Sequence, residues 1–251
     1  MVNVFADFDA ANYDRARPYF HPAVYSRLRE VLPDPLPHRA LDVACGTGHS
    51  AEALLDIADH VAALDASPAM LSCARRRGEI HYVQGLAENL PFHSDLFEML
   101  TVGLAIHWFD QRAFLREAHR VLRSDGWLVV FDSGFCEKMR GQPDFLSWLE
   151  EYRDRFPSPP RARDTLNVEL VSKAAFLPFH SEPIVHVTEY TVEGLAAYAR
   201  TQSGVIDALL SGRASENEVN DWLRRTLRQL FRTNAVMCEH RGWMWVYRNA
   251  G

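Results

Sequence analysis

The stretch LDVACGTG at residues 41–48 decides the fold of this chain. It begins as an apolar, strand-forming run, ends in a turn rich in glycine, and leads directly into a helical pattern. The glycines of the turn, Gly46 and Gly48, let the backbone approach a ligand because they carry no Cβ atom. The helix that follows presents free N–H groups at its N-terminus. Together these features predict a nucleotide-type binding site at the end of a strand.

Strands and helices are predicted to alternate around this stretch, from about residue 39 to residue 133. The apolar runs predict strands at residues 39–44, 61–65, 80–84, 96–104 and 127–132. The helical patterns predict helices at residues 48–58, 67–77 and 110–122. Such alternation is typical of right-handed βαβ units and a parallel sheet. We therefore expect a Rossmann-like α/β fold, with a seven-stranded, mostly parallel sheet, helices on both faces and one antiparallel edge strand.

The second half of the chain loses this regular alternation. A long amphipathic helix is predicted at residues 215–232, where Ser215 and Glu218 form a capping box. Strands are predicted on either side of the helical region, at residues 182–190 and 236–248. We expect a single domain over residues 1–251, with a cofactor-binding core at residues 39–135 and helical insertions or a substrate cap at residues 140–235.

Composition and charge argue against several classes of protein. The chain has 251 residues and a net charge of -6 at pH 7, which disfavours a dedicated nucleic-acid binder. No apolar run is long enough for a membrane span, and residues 1–11 lack the features of a signal peptide. The four cysteines show no metal-ligand spacing, so we expect free thiols, no metal site and a cytoplasmic location.

Two acids give the predicted site its chemistry. Asp65 ends the second strand, where a carboxylate can accept hydrogen bonds from both hydroxyls of an adenosine ribose. Asp42 lies at the foot of the glycine turn, where a negative charge favours a cationic ammonium or sulfonium group over a phosphate.

A nicotinamide-dependent reductase is the alternative that the same turn leaves open. Residues 46–51 match the loose dinucleotide fingerprint GxGxxA. A reductase of the hydroxysteroid type would also need a tyrosine four residues before a lysine, and neither Lys138 nor Lys173 has one.

Four segments of the chain match one known family in the family's own order. They are the motif I segment at residues 41–48, a second motif ALDASPAML at residues 63–71, an adenine-holding segment QGLAENLPF at residues 84–92, and AIHWF at residues 105–109 followed by FLREAHRVL at residues 114–122 and Gly126. By these segments, and more weakly by YDRARPY at residues 13–19, the chain resembles the class I S-adenosylmethionine-dependent methyltransferases of type 11. Within them it is similar to the subgroup that includes trans-aconitate methyltransferases.

The resemblance implies that the chain binds S-adenosyl-L-methionine and transfers its methyl group to a small-molecule acceptor, with a carboxylate or hydroxyl oxygen favoured. The residues that it places against the cofactor are Asp42, Ala44, Gly46, Thr47, Gly48, Asp65, Ala66, Met70, Leu86, Ala87, Glu88 and Leu104. Two of them depart from the family, which usually has glycine in place of Ala44 and an acid in place of Leu86. A tighter loop and a weaker contact with adenine are the expected consequences.

The resemblance also implies an acceptor site, with Tyr13, Arg17, Tyr19, His107, Trp108 and Arg200 as its residues. His107, the candidate catalytic residue, is either a general base or part of the pocket wall. Trp108 is either a cation–π partner of the sulfonium or a core aromatic. The N-terminal tyrosines and Arg17 belong either to a lid or to an ordinary surface helix.

The expected partner is a small-molecule acceptor, with no nucleic acid and no membrane, and the chain is expected to be a monomer or a homodimer. A protein that keeps the cofactor fold without catalysis is a further alternative. Turnover to S-adenosylhomocysteine with any acceptor separates it from an enzyme.

Overall fold

The computed structural model describes residues 9–74, 80–160 and 166–251. Its helices are α1 (Ala10–Ala16), α2 (His21–Val31), α3 (His49–Leu54), α4 (Pro68–Ala74), α5 (Gln111–Val121), α6 (Phe145–Arg155), α7 (Val168–Lys173), α8 (Val192–Arg200), α9 (Ser203–Leu210) and α10 (Glu216–Leu230), with a 3-10 turn at Ile106–Trp108. Its strands are β1 (Arg39–Val43), β2 (His60–Asp65), β3 (His81–Gln84), β4 (Phe97–Gly103), β5 (Leu122–Phe131), β6 (Lys138–Met139), β7 (Phe176–Tyr190) and β8 (Val236–Asn249). None of the helices in these ranges is both long enough and apolar enough to cross a membrane.

The first five strands are parallel and lie in the order β3-β2-β1-β4-β5. Strand β8 runs antiparallel beside β5, with Trp127 opposite Arg248, and β7 pairs with β8. The order reverses at β1, whose neighbours are β2 and β4, so this is the switch point where such sheets bind ligands. The predicted seven-stranded, mostly parallel sheet is confirmed, and the short β6 is an additional strand that pairs with β8.

The chain divides into two compact units. Of the described residues, those within 19–132, 161–184 and 242–251 form the larger unit, and those within 1–18, 133–160 and 185–241 form the smaller unit. Each unit is built from three separate segments of the sequence. The single-domain boundaries expected from the sequence, with a helical insertion at residues 140–235, stay a prediction.

The larger unit buries both faces of its sheet. Side chains alternate along β4 and β5, so Leu100 and Val130 enter one apolar cluster while Met99 and Val129 enter another. Helix α5 packs its apolar side on the first cluster, and helices α2 and α3 contribute to the second. This arrangement confirms the expected helices on both faces and leaves the ends of the strands for a site.

The smaller unit has a core rich in aromatic side chains. Trp148 and Tyr152 of α6 stack on each other and on Trp222 of α10, and Tyr198 of α8 is also buried there. The capping box predicted at the start of α10 is present, since Ser215 and Glu218 each bond to the other's backbone N–H. All four cysteines are free, as expected.

Two strands begin earlier than the sequence pattern suggested. Strand β5 begins at Leu122 rather than residue 127, and β7 begins at Phe176 rather than residue 182. Helix α4 ends at Ala74 within the described residues, so the last part of the helix predicted at residues 67–77 lies outside them. These corrections lengthen strands without changing their order.

Candidate active site

The glycine turn leaves β1 in a left-handed backbone conformation. Ala44, Gly46 and Gly48 have φ values of 57°, 55° and 87°. A Cβ atom added to Gly46 would meet nothing within 4 Å, so this part of the loop faces open space. Ala44 adopts a conformation that costs a side chain about 1–2 kcal/mol. The loop therefore keeps the shape that a glycine would adopt easily, with room above it for a ligand.

The Asp65 carboxylate closes the same loop from the end of β2. Its Oδ2 accepts the Gly46 N–H at 2.8 Å, and its Oδ1 accepts the Ser67 N–H at 2.8 Å. Burial raises the pKa of Asp65, and the backbone N–H groups of Ser67 and Gly46 oppose that rise. Each carboxylate oxygen has a further lone pair available for a ligand hydroxyl. Asp65 thus joins the two strand ends that the sequence predicted to form the site.

Asp42 lies beneath the loop rather than in its open face. Its side chain is 1% exposed, and its Oδ1 accepts hydrogen bonds from Ser50 Oγ at 3.0 Å and Thr101 Oγ1 at 2.8 Å. The Tyr25 hydroxyl hydrogen-bonds to Ser50 Oγ at 2.7 Å, which extends the network into helix α2. Any influence of Asp42 on a bound cation therefore acts from underneath the glycine turn.

Burial raises the pKa of Asp42 to about 7, because the charged carboxylate is removed from water, although the Thr101 and Ser50 hydroxyls favour the charged form. Burial also raises the pKa of Tyr25, so this hydroxyl stays protonated. The network is therefore a set of neutral hydroxyls around one acid that titrates near neutral pH.

The end of β4 forms the next part of the site at the carboxyl ends of the parallel strands. Leu104 follows it with a φ of 59° and donates its N–H to the Phe131 carbonyl at 2.9 Å. The short 3-10 turn then carries His107 and Trp108, both half-buried, with ring centroids 4.9 Å apart. The structure places these two rings beside each other on the larger unit, directly after the strand that pairs with β1.

The predicted adenine-holding segment lies in a turn after β3. Leu86 is 56% exposed, whereas Ala87 is buried. Glu88 Oε1 accepts the Asp110 N–H at 3.0 Å, so one oxygen of this acid is already engaged. Ser67 caps α4 through the Met70 N–H, as its position in the sequence predicted. An exposed leucine at the position of the family's usual acid offers adenine an apolar contact and no charged acceptor.

The predicted acceptor residues fall into both units. Tyr19 belongs to the larger unit, where its ring is half-exposed and lies 5.5 Å from that of His49. Tyr13 and Arg17 belong to the smaller unit and contact each other there. Arg200, also in the smaller unit, is paired with residues of α10. Contact of these residues with an acceptor stays a prediction.

Sequence reasoning missed the hydroxyls that hold Asp42. Thr101 is the one polar residue in the run from Met99 to Val102, and it lies opposite Asp42 in the parallel register of β1 and β4. A polar residue inside a buried strand was therefore an available signal. Ser50 was visible in the first turn of the helix after the loop, but Tyr25 comes from a helix whose packing the motif does not specify.

Residues 41–130 match the sequence family described as Methyltransferase domain. The malonyl-acyl-carrier-protein O-methyltransferase of Dechloromonas aromatica is 35% identical over 137 residues, which are 49% of this chain and 49% of that protein. The demethylmenaquinone methyltransferase of Thermotoga maritima is 38% identical over 112 residues, which are 42% of this chain and 48% of that protein. The chain spans about half the length of the curated relatives it matches.

Similarity to solved structures extends over nearly the whole chain. The crystal structure of the YcgJ protein from Bacillus subtilis aligns with a TM-score of 0.57 and 20% sequence identity, covering 93% of this chain and 100% of that one. At this identity the likeness shows the fold.

Proposed function

We infer that this protein, whose residues 41–130 form an S-adenosylmethionine-dependent methyltransferase domain, transfers a methyl group to an oxygen atom of a small-molecule acceptor. S-adenosyl-L-methionine is the methyl donor of such a domain. The observation that carries the proposal is the Asp65 carboxylate, which bridges the glycine turn and the end of β2 at the switch point of the sheet. To bind an adenosyl group, the site needs an acceptor for the ribose hydroxyls beside the glycine turn, and Asp65 is in that position.

The residues around the turn fit that group. We propose that Asp65 accepts the ribose hydroxyls and that Gly46 and Gly48 face the methionyl part, since the open space above Gly46 admits it. Asp42, below the turn, stabilises the positive charge of the cofactor when ionised. The remaining proposed contacts are Ala44, Thr47, Ala66, Met70, Leu86, Ala87, Glu88 and Leu104.

The cofactor supplies an activated methyl group, so the protein must mainly position the acceptor. Holding the acceptor oxygen in line with the methyl group accounts for a large part of such a rate enhancement. A carboxylate acceptor needs no base, whereas a hydroxyl acceptor gains from one, and His107 beside Trp108 is our candidate for that role. The subgroup that includes trans-aconitate methyltransferases is the proposed place of the chain within the family. The O-methyltransferase among its relatives supports oxygen as the acceptor atom.

Calorimetric titration with S-adenosylmethionine tests the cofactor assignment. Asp65→Ala should weaken binding about 10- to 150-fold, the usual worth of hydrogen bonds to a charged group. Asp56→Ala is the matched control, since Asp56 is an exposed acid of the same unit. An unchanged dissociation constant in folded Asp65→Ala protein, or binding of a dinucleotide in place of S-adenosylmethionine, would contradict the proposal.

An acceptor screen tests the reaction itself. Purified protein is incubated with methyl-labelled S-adenosylmethionine and pools of organic acids and alcohols, and S-adenosylhomocysteine and labelled products are measured by mass spectrometry. We expect methyl esters or methyl ethers. Tight cofactor binding with no turnover on any pool would favour the binding protein without catalysis.

A further inference from the structure

The Arg17 guanidinium contacts two aromatic rings in the smaller unit. The guanidinium carbon lies 4.5 Å from the ring centroid of Tyr13 and 5.5 Å from that of Tyr198. One nitrogen, Nη2, donates a hydrogen bond to the Thr201 carbonyl at 2.9 Å. These contacts fix the orientation of the guanidinium plane, because two rings and a carbonyl hold it at once.

The charge of Arg17 has no acidic partner among the described residues, and its Nε is buried without a hydrogen-bond partner there. Gln202, next to Thr201, likewise has a buried Nε2 without a partner in the described part of the chain. An arginine stays protonated in proteins, and a partly buried cation without a counter-ion is costly. Both residues lie beside Tyr198, since Arg17 contacts its ring and the Gln202 side chain adjoins its hydroxyl. The guanidinium Nε and the amide Nε2 are donors suited to the oxygens of an anion.

Arg200, the other arginine predicted to bind an acceptor, has its partners already. Its Nη1 donates to Asn220 Oδ1 at 2.7 Å, and its Nη2 lies 3.6 Å from Glu216 Oε2. The positive charge of Arg200 is therefore balanced by residues of α10. The contrast favours Arg17 over Arg200 as the anchor for an anion.

We propose that Arg17 and Gln202 form a carboxylate-binding site in the smaller unit, with Tyr13 and Tyr198 holding the guanidinium in place. The ligand class is a small organic acid whose carboxylate takes one N–H from each residue. The assignment rests on the proposed function only in identifying this acid with the methyl acceptor. The site itself is a property of the smaller unit and is testable without turnover.

Nuclear magnetic resonance of the arginine Nε–Hε groups observes the site directly. The Arg17 signal is identified by its loss in Arg17→Lys, and the Arg200 signal by its loss in Arg200→Lys, which is the matched control. Whole protein is titrated with acetate, succinate and benzoate, and separately with benzamide, which matches benzoate in shape but has no charge. S-adenosylmethionine is a further arm, because its methionyl part also carries a carboxylate.

We expect at least one acid to shift the Arg17 signal, benzamide to leave it unmoved, and neither to move the Arg200 signal. Arg17→Met should weaken binding of that acid about 10- to 100-fold, while Arg200→Met should leave it within about 2-fold. No shift with any acid overturns the site, and so does a shift with S-adenosylmethionine alone, which would assign Arg17 to the cofactor. If S-adenosylmethionine binds and is turned over while no acid moves the signal, the methyltransferase function stands and this site falls.

Discussion

Asp42 combines complete burial with a pKa near neutrality, and this makes its contribution to stability depend on pH. Its folded-state pKa of about 7 lies above the ordinary value of 3.8, so the folded protein holds this proton more tightly than the unfolded chain. The contribution of protonated Asp42 to the free energy of unfolding is therefore complete below about pH 4 and is lost as the pH rises through about 7. The groups that act on Asp42 electrostatically include Asp65, Tyr25 and Cys45.

Asp42→Asn should therefore stabilise the protein relative to wild type more at pH 8 than at pH 5. We expect a difference of about 1–4 kcal/mol in the free energy of unfolding between the two conditions, measured by urea denaturation. Asp56→Asn, at an exposed acid, should show no such pH dependence. Equal effects at both pH values would mean that burial does not raise the pKa of Asp42. Affinity for S-adenosylmethionine should fall more than affinity for S-adenosylhomocysteine, because only the former carries the sulfonium charge.

His107 is our candidate for the general base that a hydroxyl acceptor would use. If it is a general base for a hydroxyl acceptor, His107→Ala should lower kcat by about 10²–10⁴ and leave the dissociation constant of the cofactor nearly unchanged. If it only shapes the pocket, KM for the acceptor should rise while kcat persists. Steady-state kinetics with an acceptor from the screen distinguish the two. His93→Ala, a change at an exposed histidine of the same unit, serves as the control.

The positions of Asp42 and Asp65 followed from the sequence because each comes at the end of a strand with a clear apolar pattern. Their surroundings did not follow. The hydrogen bond from Thr101 depends on the register that places it opposite Asp42, and the one between Tyr25 and Ser50 depends on how α2 packs. Arg17 and Arg200 were both predicted acceptor residues, yet of the two only Arg200 meets an acid among the described residues, because α10 brings Glu216 to it.

At the scale of elements, α10 has a clear sequence signal for the start of a helix, which is its capping box. Ser215 Oγ accepts the Glu218 N–H at 3.3 Å, and Glu218 Oε2 accepts the Ser215 N–H at 2.8 Å. Ser215→Ala should lower the free energy of unfolding by about 1 kcal/mol, since a helix N–H loses its acceptor. Ser147→Ala, at an exposed position in the first turn of α6 that is not the N-cap, is the control and should be neutral or slightly stabilising. Urea denaturation of both variants measures the difference, and equal effects would contradict a capping role.

The sequence pattern did not predict where strands β5 and β7 begin, and each case has its own physical reason. In β5 the polar segment at residues 123–125 resembles a turn, but Leu122 pairs with Phe97 across an irregularity in the register and draws the segment into the strand. In β7, Pro178 argues against a strand in the part that was not predicted, residues 176–181. Within the described residues β7 pairs only with β8, so its other edge needs no N–H donors and tolerates proline.

At the scale of the whole molecule, each unit contains buried titratable groups, and Asp42 of the larger unit and His186 of the smaller unit respond to acid in opposite senses. In the smaller unit, the rings of His186 and His240 stack 4.5 Å apart, and His186 Nε2 is 2.8 Å from Ser133 Oγ. Burial, and then the neighbouring His240, lower the pKa of His186 to about 4, and burial also lowers the pKa of His240. The unfolded chain therefore takes up protons more readily as the pH falls from 6.5 to 4, and the smaller unit loses stability in that window.

Hydrogen exchange at pH 7 and pH 5, corrected for intrinsic rates, should show this difference. Peptides from residues 185–200 should lose protection at pH 5, whereas peptides from residues 39–48, around Asp42, should not. His186→Phe keeps a ring for the stack and removes the titrating group, so it should reduce the acid sensitivity. His81→Phe, at an exposed histidine of the larger unit, should leave it unchanged. Acid sensitivity that survives in His186→Phe would assign it to other groups.

The division of each unit into three sequence segments has a consequence for synthesis on the ribosome. Arg17 emerges long before Thr201, its hydrogen-bond partner, and the β5 residues 127–131 emerge long before residues 244–248, which pair with them. The smaller unit includes residues up to 241 and the larger unit includes residues 242–251, so neither can finish folding before nearly all of these residues have been translated. During that interval the edge of β5 is open to wrong strand partners, and the nascent chain is most in need of chaperone protection there.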